Sequence, residues 1–369
     1  MRFRVKPLEL RAAAEFAGRA GVRRRKMTGS NPLKRIRLGR TALEVTRLGL
    51  GTAPLGGLFM PVSEERFTAT VERAWELGLR LFDTAPLYGK GTAETRLGAA
   101  LAGRPRNEYV LSTKVGRLLR PDAPPDPETL RGLWHDAPAL NPSFDFSEEG
   151  VLRSFSESLE RLGLDRIDIA LIHDPDDHDE QALAGAYPAL ERLRSEGVIG
   201  AVGVGANHVD VLCRFARETD VDCFLVAGRY TLLDHVALQQ LLPLCVDRGI
   251  AVIAGGVYNS GILANPRAGA TFNYEPASHE LVERALRLQG ACERHGVPLS
   301  AAAIQFPLAH PAVAAVVTGA ASMAELEENV EYARFPVPAG LWAELQAEGL
   351  IPADAPVAPS WRHSFSRPL

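Results

Sequence analysis

The feature that most constrains the fold of this 369-residue chain is a regular alternation of short apolar runs with longer amphipathic segments. Strands rich in Val, Ile and Leu, each followed by a helix-length segment, predict a parallel sheet covered by helices. The predicted strands are one near Thr46–Gly51, then Arg80–Asp83, Tyr109–Lys114, Ile167–His173, Val198–Gly205, Cys223–Ala227, Ile250–Ala254 and Ala314–Thr318. The amphipathic segments between them include Glu64–Glu76, Gly150–Arg161, Gln181–Glu196, His208–Glu218, His235–Asp247 and His279–His295.

Two architectures of the α/β class satisfy this alternation. Eight units without a break in composition favour a single (β/α)8 barrel of the TIM type. A doubly wound open sheet is the alternative, and it would be expected to carry GxGxxG after its first strand. The first strand here ends in GLGTAPLGG, in which the glycine spacing is different. The sequence therefore predicts the barrel, with glycines that close the preceding helices at Gly78, Gly163, Gly197 and Gly249.

Charge is distributed unevenly along the chain. Nine of the 41 basic residues and two of the 45 acidic residues precede Met27, so the remainder carries a net charge of −11. We interpret residues 1–31 as a basic, disordered leader and residues 32–369 as the barrel. The barrel is predicted to carry a long loop at 120–149, which shapes the substrate pocket, and a C-terminal extension from about 335.

The composition also bears on partners and compartment. An acidic body argues against nucleic acid as the main partner. No apolar stretch approaches the roughly 20 residues needed to cross a bilayer, which argues against a membrane span. The four cysteines are widely spaced and form no CxxC pair, as expected of reduced thiols in the cytoplasm. We expect a monomer or a small homo-oligomer whose partner is a small molecule.

Four polar residues are predicted to meet on one face of the barrel. Asp83 and Tyr88 lie in LFDTAPLYG, Lys114 lies in VLSTKVG and His173 lies in IALIHD, each at or just beyond a strand end. A tyrosine ordinarily loses its proton near pH 10, and a neighbouring lysine ammonium favours the phenolate. An aspartate can hold the lysine, and a histidine can orient a substrate oxygen. The set predicts proton transfer at a carbinol or carbonyl oxygen.

The segments that hold these four residues, together with several others, resemble the aldo-keto reductase family from about Leu33 to Arg334. The motifs that carry the resemblance are LGLGTAPLGG, FDTAPLYG, STKVG, SLERLGLDRIDIALIHD, VGVGANH and VTGAASMAELEEN. The resemblance implies a (β/α)8 barrel that binds NAD or NADP without a Rossmann domain. It also implies that Tyr88 is the proton donor or acceptor, that Lys114 and Asp83 tune it, and that His173 positions the substrate.

The resemblance implies a set of cofactor-binding residues as well. They are Gly51, Thr52, Asn207, Tyr230, Gly255, Gly256, Val257, Gly261, Leu263, Gly319, Ala320, Ala321, Ser322, Glu325, Glu328 and Asn329. Three positions depart from the commonest family pattern: Ala206-Asn207 replaces Ser-Asn, Ala227 replaces Gln, and Gly255 replaces a bulky residue that stacks on nicotinamide. We therefore expect help from Tyr230 or Tyr258 in holding the nicotinamide end.

The loop after the last strand bears on the choice of dinucleotide. NADP-preferring relatives carry an Arg about two residues past the Gly and a Gln further on, where this chain has Ala321 and Glu325. A 2′-phosphate needs a cationic partner, and Glu325 would repel it. The sequence predicts a preference for NAD over NADP.

The resemblance is strongest to a branch of the family that contains aldose 1-dehydrogenases and a pyridoxal 4-dehydrogenase. It implies oxidation of a sugar hemiacetal to a lactone, or reduction of an aldehyde or ketone in reverse. Trp134, Phe144 and Phe146 of the long loop could contact the substrate or could pack only within the loop. Two other functions stay open: a regulatory barrel that binds the dinucleotide without turnover, and a metal-dependent hydrolase using HDPDDHDE (His173–Glu180). For the second, ligands from other strand ends are lacking, so we expect no metal site.

Overall fold

The architecture is a closed ring of eight parallel strands. It is seen in a computed structural model that describes residues 31–124 and 133–357. Apart from Asn31, the predicted leader lies outside the described residues, as do 125–132 of the long loop and 358–369 of the C-terminal extension. In chain order the barrel strands are β1 Leu48–Gly51, β2 Leu81–Asp83, β3 Val110–Val115, β4 Ile169–His173, β5 Ala201–Ala206, β6 Cys223–Ala227, β7 Ala251–Gly255 and β8 Val313–Gly319.

Each strand pairs in parallel with its neighbours in chain order, and β8 closes the ring on β1. The (β/α)8 prediction is confirmed, and the closed ring rules out the open sheet. All eight predicted strands are present. The first differs in its limits, because Glu44–Thr46 pairs antiparallel with Arg35–Arg37 in a separate hairpin before β1 begins. Leu38 and Val45 of this hairpin pack into the barrel interior and close its amino-terminal end.

Helices cover the outside of the ring. They are α1 Glu64–Leu77, α2 Thr92–Leu101, α3 Glu148–Leu162, α4 Tyr187–Ser195, α5 Val209–Glu218, α6 Leu241–Arg248, α7 His279–Arg294, α8 Leu299–Leu308, α9 Met323–Arg334 and α10 Ala339–Ala347. Short 3-10 turns lie at Tyr88–Gly91, Arg106–Glu108, Asp176–His178, Val236–Leu238 and Asn259–Gly261. The predicted helix Gln181–Glu196 is interrupted, because a short helix at Asp179–Gln181 leads through a π-turn at Ala182–Ala186 into α4. No helix within 31–124 or 133–357 is long and apolar enough to cross a membrane.

Local sequence signals set the helix boundaries. The Ser63 hydroxyl accepts a hydrogen bond from the backbone N–H of Arg66 and caps α1, and Ser147 and Ser322 cap α3 and α9 in the same way. The glycine at the end of α1, Gly78, adopts the left-handed conformation with φ 93°. The other three predicted glycines also have positive φ, so each helix turns back into the next strand where the sequence predicts.

Two further hairpins stand at the carboxyl-terminal face of the barrel. The predicted long loop begins three residues late, because Arg117–Arg120 pairs antiparallel with Asn141–Phe144. After β7, Thr271–Phe272 pairs with Glu275–Pro276. Both hairpins follow strand ends, so they bring loop residues to the face on which barrel sites are built.

Candidate active site

Four polar side chains meet at the carboxyl ends of β2, β3 and β4. Asp83 ends β2, Lys114 lies near the end of β3 and His173 ends β4. Tyr88 begins the 3-10 turn that follows β2. Because β2, β3 and β4 are neighbours in the ring, these residues face one space. The structure thus brings together the four residues predicted to act in catalysis.

Lys114 and Asp83 form a buried ion pair. The Lys114 ammonium donates hydrogen bonds to Oδ2 of Asp83 and to the carbonyl of Thr84, both at 2.8 Å. The side chains are only 2% and 5% exposed. Burial lowers the pKa of Lys114, but the negative charge of Asp83 and hydrogen bonds to Asp83 and Tyr88 outweigh it and raise that pKa overall. Lys114 therefore stays a cation at neutral pH.

Tyr88 lies against this cation. The Lys114 nitrogen is 4.6 Å from the centroid of the Tyr88 ring. Burial nevertheless raises the pKa of Tyr88 to about 12, and the positive charge of Lys114 only partly opposes that effect. Lys114 favours the phenolate as predicted, but burial raises the pKa of Tyr88 by more than this one cation lowers it.

His173 completes the set as a neutral ring. Burial, together with the positive charges of Arg117 and Lys114, lowers its pKa well below the ordinary value. The ring stands edge-on to Tyr88, with 6.1 Å between centroids. Nδ1 of His173 is buried and has no hydrogen-bond partner among the described residues. The geometry suits an uncharged group that positions an oxygen atom beside Tyr88.

The loop that carries Tyr88 is fixed by a close approach of two glycines. A Cβ built on Gly89 would lie 2.4 Å from the carbonyl oxygen of Gly56. Gly89 also has φ 59°, which L side chains rarely adopt. The loop after β2 therefore rests directly on the loop after β1, and this contact sets the position of Tyr88.

Part of the long loop reaches the same site. Phe59 donates its backbone N–H to the carbonyl of Leu133, and His135 donates to the carbonyl of Gly57. This pairing carries Trp134 to Tyr88, with 5.9 Å between ring centroids. The predicted substrate residue Trp134 thus lies beside the reacting group.

The other two aromatic residues of the loop are placed differently. Phe146 is fully buried, and its ring stacks on Phe144 at 5.9 Å. Phe146 therefore packs within the protein rather than on a substrate. Phe144 lies under the guanidinium of Arg117, 4.6 Å from its ring centroid.

A cleft of about 510 Å³ runs from Tyr88 across the ends of β1, β8 and β7. Ten of the predicted cofactor residues line it: Gly51, Asn207, Gly255, Gly256, Val257, Gly261, Gly319, Glu325, Glu328 and Asn329. Glycines end β1, β7 and β8, so backbone rather than side chains forms much of the wall. A cleft that combines a glycine-lined wall with polar side chains such as Asn207, Ser260 and Asn329 fits a dinucleotide.

The far end of the cleft is built around α9. Tyr258 donates a hydrogen bond of 2.6 Å from its hydroxyl to Oδ1 of Asn329. Oε2 of Glu325 accepts a hydrogen bond of 2.8 Å from the backbone N–H of Ala321. Glu325 and Glu328 both line the cleft here. Tyr258, which was expected near nicotinamide, therefore lies at the α9 end.

The remaining predicted cofactor residues do not line the cleft. Five of them lie within three residues of lining residues in the sequence: Thr52, Leu263, Ala320, Ala321 and Ser322. Tyr230 is a wrong prediction, because its ring is buried against Phe306 at 5.1 Å and His310 at 5.6 Å. Gly228, with φ 70°, turns the chain after β6 so that Tyr230 enters the core.

Some residues around the site were not identified from the sequence. Phe59 and Tyr274 line the cleft, with ring centroids 6.0 Å apart, and both have positive φ. Asp174 follows His173 and pairs at 2.7 Å with Arg117 from the loop after β3. An aspartate directly after His173, at the end of β4, was the available signal, and its arginine partner lies 57 residues earlier.

The acidic run after β4 is dispersed. Asp176 pairs with His208 at 2.7 Å, and Asp179 pairs with Arg214 at 2.6 Å. Within the described ranges, no group of three or more His, Cys, Asp and Glu is placed to hold a metal ion.

Comparison with known proteins gives a consistent result. The profile of the Aldo/keto reductase family matches residues 47–348. The chain is 47% identical over 315 residues to D-threo-aldose 1-dehydrogenase of Pseudomonas sp, covering 84% of this chain and 96% of that one. It is 43% identical over 333 residues to pyridoxal 4-dehydrogenase of Microbacterium luteolum, covering 85% and 97%. Among solved structures, aldo-keto reductase AKR11C1 from Bacillus halodurans in its holo form superposes with a TM-score of 0.68, at 26% identity, over 89% of this chain and 99% of that chain.

Proposed function

Because the chain belongs to the aldo/keto reductase family and is an oxidoreductase, we propose that it oxidises the hemiacetal carbon of an aldose to a lactone, with NAD preferred. The reaction removes a hydride from the C–H bond and a proton from the O–H group of one carbon, which becomes a carbonyl. A bound oxidised nicotinamide dinucleotide would supply the acceptor for that hydride. The protein's own task is to bind both molecules and to handle the proton.

Tyr88 handles the proton. In its phenolate form it takes the proton from the hemiacetal hydroxyl, and in the reverse direction the phenol returns a proton to the carbonyl oxygen. The adjacent Lys114 ammonium stabilises the phenolate charge. Asp83 accepts a 2.8 Å hydrogen bond from that ammonium and holds it in position beside Tyr88.

His173 positions the substrate oxygen. Its lowered pKa keeps the ring neutral, so it hydrogen-bonds the hydroxyl without adding a second cation beside Lys114. Trp134, whose ring lies 5.9 Å from that of Tyr88, offers an apolar face to a sugar ring. The reacting oxygen is thus held between Tyr88 and His173.

The preference for NAD rests on the α9 end of the cleft. Glu325 presents a carboxylate there and is held by the backbone of Ala321. Among the described residues that line the cleft, none is Lys or Arg. A 2′-phosphate would meet negative charge and find no cationic partner, whereas a ribose hydroxyl can donate to a carboxylate.

The observation that carries the proposal is the buried Asp83–Lys114 pair against Tyr88 at the mouth of the cleft. It is supported by the similarity to an aldose 1-dehydrogenase. The test is absorbance of reduced dinucleotide formed from D-arabinose, L-fucose and pyridoxal, each with NAD and with NADP. We expect oxidation of at least one aldose, with kcat/KM at least tenfold higher for NAD. No aldose oxidation would contradict the substrate, and equal kcat/KM for NAD and NADP would contradict the preference.

Pyridoxal is the second candidate substrate. It also closes to a cyclic hemiacetal, and it is flat and aromatic. Trp134, Phe59 and Tyr274 surround the mouth of the site with aromatic rings that suit such a molecule. Oxidation of pyridoxal with kcat/KM above that of every aldose would favour this candidate.

We also place the enzyme in a reducing compartment such as the cytoplasm. All four cysteines are buried and unpaired. Chains exported to oxidising compartments more often use cysteines in disulfides. Fractionation of cells and an antibody to the chain would test this placement, and recovery outside the cytoplasm would contradict it.

A further inference from the structure

The feature that carries a further inference is the Asp174–Arg117 pair beside His173. Arg117 donates a hydrogen bond of 2.7 Å from Nη2 to Oδ2 of Asp174. The arginine side chain is only 5% exposed, and its guanidinium is also held over Phe144. One oxygen of the aspartate is therefore fixed by a rigid partner.

The Asp174 side chain is not fully occupied by this pair. Among the described residues, Oδ1 accepts no hydrogen bond, and one third of the side chain is exposed. The carboxylate thus keeps one oxygen that can accept a hydrogen bond from a ligand.

Asp174 lies directly beside His173. Oδ2 of Asp174 lies 3.4 Å from Nε2 of His173, too far for a good hydrogen bond but close enough for both to contact one ligand. Asp174 therefore stands beside the position where His173 would hold the reacting oxygen.

The backbone at Asp174 has an uncommon conformation. Its φ is 42°, in the left-handed region that few non-glycine residues adopt. Its N–H continues the β4–β5 ladder by donating to the carbonyl of Gly205 at 2.9 Å. The strand therefore runs without a break into a residue of uncommon backbone conformation, and such a conformation persists where the surrounding structure holds it.

We propose that Asp174 is a specificity-determining residue that accepts a hydrogen bond from the hydroxyl on the carbon next to the reacting carbon. This inference rests on the proposed aldose oxidation. On a sugar, that hydroxyl lies about one hydrogen-bond length from the reacting oxygen held by His173. Because Arg117 neutralises the carboxylate, the pair favours a neutral hydroxyl over a cationic ligand.

The test compares D-arabinose with 2-deoxy-D-ribose, which differ only by the hydroxyl on that carbon. We expect wild-type kcat/KM to be roughly 10- to 100-fold higher for D-arabinose, because one hydrogen bond to a charged acceptor stabilises a complex by about that factor. In Asp174→Asn this preference should fall to about threefold or less. The two sugars differ in how much of each ring form they adopt in solution. This difference is the same for wild type and variant, so it cancels when their D-arabinose/2-deoxy-D-ribose ratios are compared.

Two further variants keep the test decisive. Asp174→Glu retains the charge beside Arg117 while moving the oxygen, so it should fold and still lose the preference. Asp177→Asn removes an exposed carboxylate from the same loop and should keep it. Reduction of propanal, which lacks the second hydroxyl, should stay within about threefold of wild type in Asp174→Asn.

Each other outcome contradicts the inference. A wild type that treats both sugars alike, or a preference that survives in Asp174→Asn and Asp174→Glu, shows that Asp174 does not contact this hydroxyl. Equal losses for propanal and D-arabinose show that it acts only through His173. If wild type reduces propanal but oxidises no aldose, the proposed function fails first and the inference fails with it.

Discussion

The two ends of the cleft are built in different ways. At the end proposed for proton transfer, β2, β3 and β4 supply the buried side chains Asp83, Lys114 and His173, and the first two pair with each other at 2.8 Å. At the dinucleotide end, β1, β7 and β8 end in glycine, and backbone forms the wall. The first end is built from buried polar side chains, and the second combines a wall of backbone with the polar side chains of Tyr258, Glu325 and Asn329.

This difference teaches where substitutions should act. At the proton-transfer end each polar group is buried, so removing one leaves another without its partner. At the dinucleotide end the side chains that line the cleft contribute single hydrogen bonds or charges. We therefore expect large losses of turnover at the first end and modest changes in affinity or cofactor choice at the second.

The largest effect is expected for Lys114→Met. It leaves Asp83 as an unpaired buried carboxylate and removes the cation beside Tyr88. We expect the free energy of unfolding to fall by about 3–5 kcal/mol and kcat to fall by roughly 10³- to 10⁴-fold. Urea denaturation and steady-state kinetics measure the two. The double variant Asp83→Asn/Lys114→Met should regain part of the lost free energy of unfolding but none of the lost turnover. If the double variant is as unstable as Lys114→Met, the unpaired Asp83 carboxylate is not the cause of the instability.

The pH profile gives the next largest effect. Oxidation needs the Tyr88 phenolate, and burial raises the pKa of Tyr88 to about 12. Below that value, the phenolate fraction rises about tenfold per pH unit, so oxidation should accelerate roughly 100-fold from pH 7 to pH 9. Since His173 is neutral, no break is expected near pH 6.5. A plateau above pH 8 would indicate a different base.

A moderate effect is expected at Glu325. Replacement by Gln removes negative charge near the backbone of Ala321, so kcat/KM with NADP should rise about tenfold relative to NAD, a change of about 1.4 kcal/mol. Glu327 on the same helix pairs with Arg73 instead, and Glu327→Gln is the matched control. The same NADP/NAD ratio in Glu325→Gln as in wild type would show that Glu325 does not face the ribose.

The smallest effects separate two tyrosines. Tyr258→Phe loses the hydrogen bond to Asn329 and should raise the Kd for NAD roughly threefold to tenfold. Tyr230→Phe removes a buried hydroxyl that has no partner among the described residues, and the Kd should change by no more than about twofold. Fluorescence titration measures both values. A change of the Kd by more than about twofold in Tyr230→Phe would show that Tyr230 contributes to cofactor binding after all.

The sequence allowed the proton-transfer end to be predicted more fully than the other. Residue type carries the chemistry there, and parallel strands place their carboxyl ends on one face, so Asp83, Lys114 and His173 could be grouped from the strand pattern. The net effect on the pKa of Tyr88 could not be predicted, because burial depth is not visible in the pattern. The aspartate after His173 was a local signal for the Asp174–Arg117 contact, but its arginine partner lies 57 residues earlier in the sequence and carried none.

The dinucleotide end was harder to predict for a physical reason. Glycines predict where backbone is open but not which neighbouring side chain enters the space. The turn at Gly228 sends Tyr230 into the core, and nothing in the local sequence fixes that direction. The same applies to Glu44–Thr46, whose antiparallel pairing with Arg35–Arg37 depends on a contact that only the folded chain reveals.

The central claim is that Tyr88 transfers the proton while the other end of the cleft holds the dinucleotide independently. The most direct test measures kcat and the Kd for NAD in Tyr88→Phe. We expect kcat for aldose oxidation to fall by about 10²- to 10⁴-fold while the Kd stays within about twofold of wild type. Turnover that persists in Tyr88→Phe, or binding of NAD that disappears with it, would contradict the claim.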